Sequence, residues 1–201
     1  TISSGVIALV STPSFDPNLF VSGISTREYS ALIEDPAKPL FNRALQGQYP
    51  PGSTVKPMFG LIALQEETIT PEFTVFDPGY FILEGQERPY RDWKEQGHGT
   101  VDLAKAIEES CNVFYYQLAN LTGIDALSDY GYRFGLGHPT GIDIPGEQSG
   151  VMPSPEWKSA ARGIAWYPGD TVNAGIGQGF LLVTPLQMAQ TTAVIARRGL
   201  V

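Results

Sequence analysis

Ser53 and Lys56 stand at i and i+3 in Tyr49-Pro50-Pro51-Gly52-Ser53-Thr54-Val55-Lys56-Pro57, where a Gly/Pro-rich turn gives way to an apolar run. Residues at that spacing share a helix face, so a helix starting at Ser53 would set the Lys56 ammonium beside the Ser53 hydroxyl. A free serine is a poor nucleophile and needs an adjacent base. A lysine serves as that base only when burial or neighbouring charge lowers its pKa. The competing reading is a plain helix N-terminus with a surface lysine, and on Ser-x-x-Lys alone that reading wins, because the pattern is common by chance. A second motif, Ser110-Cys111-Asn112, offers another hydroxyl and a side-chain amide to the same cleft. Its competing reading is a helix break, since Ser and Asn compete with the helix backbone for hydrogen bonds.

A third set of residues suits a metal. Asp77, Asp92, His98 and Cys111 follow one another in the chain, and Cys111 is the sole cysteine and His98 one of two histidines. Two carboxylates, an imidazole and a thiolate make a four-coordinate zinc set, structural because no position is left for water. The spacing is not that of a zinc finger. The alternative makes Cys111 a small buried residue, His98 a satisfied turn residue and the aspartates turn formers. Two features favour zinc: residues 72–100 form a long irregular segment that needs a tether, and Cys111 sits between Ser110 and Asn112. Asp16, Asp143 and Glu147 are further cleft candidates that nothing ranks, and His138 reads as structural.

The elements that would position these groups are mostly helical. Residues 53–67 read as a helix with Pro57 in its first turn, where it removes at most one intrahelical bond. Asp102 caps a helix running through Glu108, with Leu103, Ala106 and Ile107 facing inward. Another helix runs from Asn112 or Val113 to Leu121 and stops at Gly123, and one more covers about 124–134. Thr184, Pro185, Gln187 and Gly199 mark the cap, first turn, capping box and end of a last helix. Residues 6–12 read as an inner strand, 13–52 as mostly loop, 72–100 as loop with short strands, and 135–180 as long and irregular. Gly175-Ile176-Gly177-Gln178-Gly179 does not read as a phosphate loop, because no Lys-Ser/Thr follows and no G-x-G-x-x-G frame exists.

Bulk properties exclude some functions. The 201 residues suffice for one domain with a sizeable core. The net charge of −8 argues against nucleic acid, and Arg88/Arg91 and Arg197/Arg198 do not form a basic stripe. No apolar run is long enough to span a membrane and no signal peptide opens the chain. Both ends read as cut, so an anchor or export signal is expected upstream.

Taken together, these motifs resemble the transpeptidase domain of penicillin-binding proteins, whose signature is S-x-x-K, S-D-N and K-T-G, with Ser110-Cys111-Asn112 as a variant of the second motif. Arg91-Asp92-Trp93-Lys94, Gly97-His98-Gly99, and Gly175 to Gly179 leading into Thr184-Pro185-Leu186-Gln187 resemble its monofunctional, elongation-specific class, across essentially the whole chain. No Lys-Thr-Gly occurs. In the family that strand lies downstream of the 184–198 helix, so residues 1–201 are expected to be a partial domain, impaired on its own. The resemblance implies an α/β fold of α+β type, an antiparallel sheet flanked by helices, incomplete here, with Gly175 to Gly179 as a tight backbone turn near the cleft. It implies that Ser53 attacks the penultimate D-Ala carbonyl of a pentapeptide stem and that Lys56 takes its proton. Ser110 would pass that proton to the leaving D-Ala, and Asn112 would hold the substrate amide. β-Lactams would trap Ser53. Implied too are a periplasmic position on the bacterial inner membrane, an upstream pedestal, and a RodA-type glycan polymerase with the elongation machinery as partners. A serine β-lactamase or D,D-carboxypeptidase on the same scaffold, and a non-enzymatic penicillin sensor, are the alternatives.

Overall fold

The computed structural model describes residues 5–199; the chain ends, where the cut termini are expected, lie outside them. The core is organised around α5 (Asn112–Thr122), which buries Val113, Phe114, Tyr115, Tyr116, Leu118 and Ala119. A helix apolar around most of its circumference belongs inside a domain, and each fully buried large apolar side chain contributes about 1.5–3 kcal/mol. Against α5 pack α3 (Lys56–Gln65), α6 (Ile124–Arg133) and α8 (Pro168–Gly175). The approach of α8 is close enough that a Cβ on Gly175 would overlap the Ala119 side chain, so a larger residue there would force the helices apart.

Four short strands make two antiparallel ribbons. In one, β1 (Thr74–Asp77) pairs with β4 (Gly99–Asp102), in register Val75 to Val101 and Asp77 to Gly99. In the other, β2 (Tyr80–Phe81) pairs with β3 (Tyr90–Arg91). Alternation along β1 sends Val75 and Asp77 to the same buried face, so a carboxylate enters the core by strand periodicity. β4 leads into α4 (Leu103–Glu108), where Asp102 accepts a hydrogen bond from the Lys105 amide as expected of the cap. Ala106 of α4 is buried, but Ile107 is 41% exposed, a correction to its expected inward face.

The last helix, α9 (Pro185–Ala196), starts with the predicted Thr184/Gln187 capping box. One expectation fails and two are incomplete. Residues 6–12 form no strand: they pair in no ladder among the described residues, and Val6, Ile7 and Val10 stay exposed. The 13–52 stretch is mostly loop as expected but also holds α1 (Thr26–Glu34), opened by a Ser25/Glu28 capping box, and α2 (Arg43–Gln46). The 135–180 stretch holds α7 (Pro155–Arg162), capped by Ser154 and ended by left-handed Gly163, as well as α8. No helix among the described residues is long and apolar enough to cross a membrane.

Candidate active site

Ser53 sits in a 3-10 turn, Gly52–Val55, that runs directly into α3. Two backbone clamps fix that turn. Tyr49 and Val183 exchange hydrogen bonds of 2.9 Å, and the Gly52 N–H donates to the Gly177 carbonyl at 2.9 Å. Gly177 has φ +73° and packs so tightly on the Gly52 backbone that a Cβ would overlap it. The glycine-rich segment is thus the floor of the Ser53 turn, a tight turn as the family resemblance implies.

Lys56, the first residue of α3, is 1% exposed, and its ammonium lies 5.3 Å from the centre of the Tyr115 ring. It donates to the Ser110 carbonyl at 2.8 Å, to Asn112 Oδ1 at 2.8 Å and to Ser110 Oγ at 3.2 Å. Ser110 Oγ in turn donates to Ser53 Oγ at 2.7 Å. The two serines, the lysine and the asparagine therefore come together, but the link from Ser53 to Lys56 runs through Ser110. The spacing argument set the lysine beside Ser53; instead Nζ turns to the α4–α5 junction, which satisfies a buried ammonium more fully. Burial pushes the Lys56 pKa down to about 8, against the opposing pull of the Asp92 carboxylate.

The α4–α5 junction is held in an unusual shape. Ser110 has φ +55°, uncommon for a residue with a side chain. Behind it, Asp92 Oδ2 accepts from the Asn112 and Val113 amides at 2.6 and 3.0 Å, and Cys111 Sγ accepts from the Phe114 amide at 3.4 Å. The orphan donors at the start of α5 are thereby satisfied, and an anion sits where the helix dipole favours one.

Asp77, Asp92, His98 and Cys111 are all buried, and their donor atoms lie within 4.8 Å of one another. Asp77 Oδ2 is 2.6 Å from His98 Nδ1 and 3.4 Å from Cys111 Sγ, while Asp92 Oδ1 is 3.7 Å from His98 Nδ1. Burial opposes ionisation of Asp77, yet hydrogen bonds from His98, Gly79 and Cys111 outweigh it and hold its carboxyl below the usual range. Burial pushes the Cys111 thiol up to about 12, and the two carboxylates add to that. Oxygen, nitrogen and sulfur donors at these separations fit a tetrahedral zinc ion with bonds of about 2.0–2.3 Å. His98 Nε2 is buried with no hydrogen-bond partner, an orphan that a purely hydrogen-bonded turn would leave unexplained.

The other candidates lie in local turns. Asp16 caps the 3-10 turn Pro17–Phe20, Glu147 accepts from the Thr140 amide at 2.8 Å, and Asp143 lines a cavity with Gly5 to Leu9. His138 stacks on Tyr132 and its carbonyl accepts from Gln187, consistent with a structural role. Sequence reasoning missed the capping function of Asp92 and the clamp on Gly52. A carboxylate well before an N-terminal Ser-Cys-Asn carries no local signal for the first; the glycine cluster was the only pointer to the second.

A buried lysine bridged by one hydroxyl to a second, on a floor of clamped glycines, can strip a proton from serine and move it onward. That is the chemistry of acyl transfer through a serine ester. The chain belongs to the penicillin binding protein transpeptidase domain family, which it matches over residues 3–201. It is 52% identical to the peptidoglycan D,D-transpeptidase MrdA of Escherichia coli K12 over 99% of its own length and 31% of that protein. Among solved structures it is similar to PBP2 of Pseudomonas aeruginosa in complex with WCK 5153, with 48% identity and a TM-score of 0.91 over 94% of this chain and 43% of that one. It is also similar to PBP2 of Helicobacter pylori in complex with MreC, with 39% identity and a TM-score of 0.89 over 93% of this chain and 35% of that one. The chain thus spans about a third of the length of the curated relatives it matches.

Proposed function

We propose that this chain is the acylation half of a peptidoglycan D,D-transpeptidase that cross-links stem peptides during cell elongation and is trapped by β-lactams. The observation that carries the reading is the Ser53–Ser110–Lys56–Asn112 hydrogen-bond chain within a transpeptidase family match. Ser53 Oγ attacks the carbonyl of the penultimate D-Ala. Its proton moves through Ser110 Oγ to a neutral Lys56, and returns by the same hydroxyl to the nitrogen of the departing D-Ala as the C–N bond breaks. Asn112 orients the peptide amide. The ester then passes to an amine of a neighbouring stem, restoring Ser53. The Ser53 amide supplies one oxyanion donor; the second belongs to a Lys-Thr-Gly strand that the longer parent protein would carry, and loss of one such donor costs about 2.7–4 kcal/mol of barrier.

Covalent labelling by a fluorescent penicillin tests this. The full-length protein should take up the label at Ser53, Ser53→Ala should not, and the ester should persist. Labelling of the alanine variant would sink the assignment, and rapid release of penicilloate would favour the hydrolase reading. The MreC complex of the H. pylori relative supports a place in an elongation assembly, and by family likeness we extend that to a RodA-type polymerase, an upstream membrane anchor and the periplasmic face of the inner membrane.

We further propose that Asp77, Asp92, His98 and Cys111 hold a structural zinc ion. The bound ion would replace the Cys111 proton and tie the ribbon to the residue between Ser110 and Asn112. Metal analysis of the purified full-length protein should give close to one zinc per chain, and less than about 0.2 would refute the site.

A further inference from the structure

The two ring nitrogens of His98 meet different surroundings. Nδ1 faces the donor cluster, 2.6 Å from Asp77 Oδ2 and 3.7 Å from Asp92 Oδ1. Nε2 points away from it, and although the side chain is fully buried this nitrogen has no hydrogen-bond partner. One carboxylate stands in front of it: Glu109 Oε2, 3.7 Å away. Histidines that ligate a metal through one nitrogen give the N–H of the other to a carboxylate or carbonyl, which fixes tautomer and ring orientation and raises the basicity of the ligating nitrogen. A buried ring nitrogen facing a carboxylate, on a ring whose other nitrogen faces three metal-type donors, matches that arrangement short of its final closure.

Glu109 is placed to close it. It ends α4 as the C-cap residue, with its side chain one-third exposed at 34%, so a torsion can shorten the gap without repacking the core. Its backbone is fixed, since Trp93 Nε1 donates to the Glu109 carbonyl at 3.2 Å while the Trp93 ring sits edge-on to His98, 5.4 Å between centroids. Lys94 and Lys105 flank the carboxylate at 3.6 and 4.0 Å. The bland alternative is that Glu109 serves only these two lysines, but exposed pairs of that length contribute little and leave the buried nitrogen unexplained.

We propose that Glu109 is a positioning residue for the metal centre: it accepts the His98 Nε2–H, so that Nδ1 is the nitrogen presented to zinc. This rests on the zinc reading above. It also joins the metal site to the catalytic junction by a single peptide bond, since Glu109 precedes Ser110.

The test is zinc affinity, measured on the full-length protein by stripping the metal and titrating zinc against a chromophoric chelator. Glu109→Ala should weaken zinc binding by about 10–100-fold. Glu109→Gln keeps an oxygen acceptor and should stay within about threefold of the parent, which also guards against a folding defect in the alanine variant. Replacing Lys94 by Met should leave affinity unchanged; Lys105 is kept because it also donates to the His98 carbonyl at 3.2 Å. Glu109→Ala binding zinc as tightly as the parent, or Lys94→Met losing as much as Glu109→Ala, overturns the proposal while the zinc site stands. A parent protein that binds no zinc overturns both.

Discussion

Burial holds Lys56 near a pKa of about 8, with Asp92 resisting the shift. Only the neutral amine can accept the Ser53 proton, so the reactive fraction rises with pH until Lys56 is fully deprotonated. At pH 7 roughly a tenth of the molecules carry the free base. Acylation by a β-lactam under second-order conditions should therefore rise about tenfold from pH 6 to pH 7 and level off above about pH 8; a flat profile over that range would remove Lys56 as the base. Ser110 permits a second test because its φ of +55° suits glycine. Ser110→Gly should fold at least as stably as the parent, by thermal melting, yet lose the hydroxyl bridge and slow acylation by about 10²-fold or more. Unchanged acylation would mean that the proton bypasses Ser110. The residue types of this site are legible in the sequence, since a serine, a lysine, a second serine and an asparagine announce themselves by motif. Their wiring is not, because the direction of a buried ammonium depends on which carbonyls are left open at another helix junction.

Between residue and fold, the elements that matter most to Ser53 were the hardest to read. α3, α5 and α9 follow from caps and periodicity, as at Thr184 and Gly123. α7 and α8 lie in a Gly/Pro-rich stretch whose punctuation hides them: Pro155 and Pro168 are first-turn residues of helices rather than breakers. Their junction is set by a contact without sequence signature. Lys158, 2% exposed, pairs with Asp170 at 2.6 Å while the Tyr167 and Phe180 rings lie 4.6 and 5.2 Å from its ammonium. This pin holds α8, and α8 delivers Gly177 to Gly52. A Gly177→Ala substitution would both strain a φ of +73° and push the new methyl into the Gly52 backbone. A displacement of about 1 Å at a reacting group can cost about 10²-fold in rate. Gly177→Ala should therefore cut acylation by about that factor, whereas Gly163→Ala, at a site with no atom near the added Cβ, should change it little. Equal rates in the two variants would show that the clamp does not position Ser53.

At the scale of the whole molecule, the donor cluster draws together four separate points of the chain. Asp77 ends β1, Asp92 follows β3, His98 precedes β4 and Cys111 joins α4 to α5. The ribbons between them are two to four residues long, and short hairpins are marginal unless something else fixes them. The chemical types of the four donors could be read from the sequence, but their convergence could not, because it depends on β1 turning Asp77 inward and on Asp92 folding back onto α5. A ligand that binds only the native state stabilises it by RT ln(1 + [L]/Kd), about 2.7 kcal/mol at a hundredfold excess over Kd. For a domain of this size each kcal/mol shifts the melting midpoint by about 2–4 °C. Returning zinc at a hundredfold excess to the stripped protein should thus raise the midpoint by about 5–10 °C. In Cys111→Ser that rise should shrink to about a third or less, since the hard hydroxyl is a poor zinc ligand. Acylation should follow the same order, because the ligand between Ser110 and Asn112 is the one released. A melting midpoint indifferent to zinc in the parent protein would mean that hydrogen bonds alone hold the cluster, and that the positioning of Ser110 owes nothing to a metal.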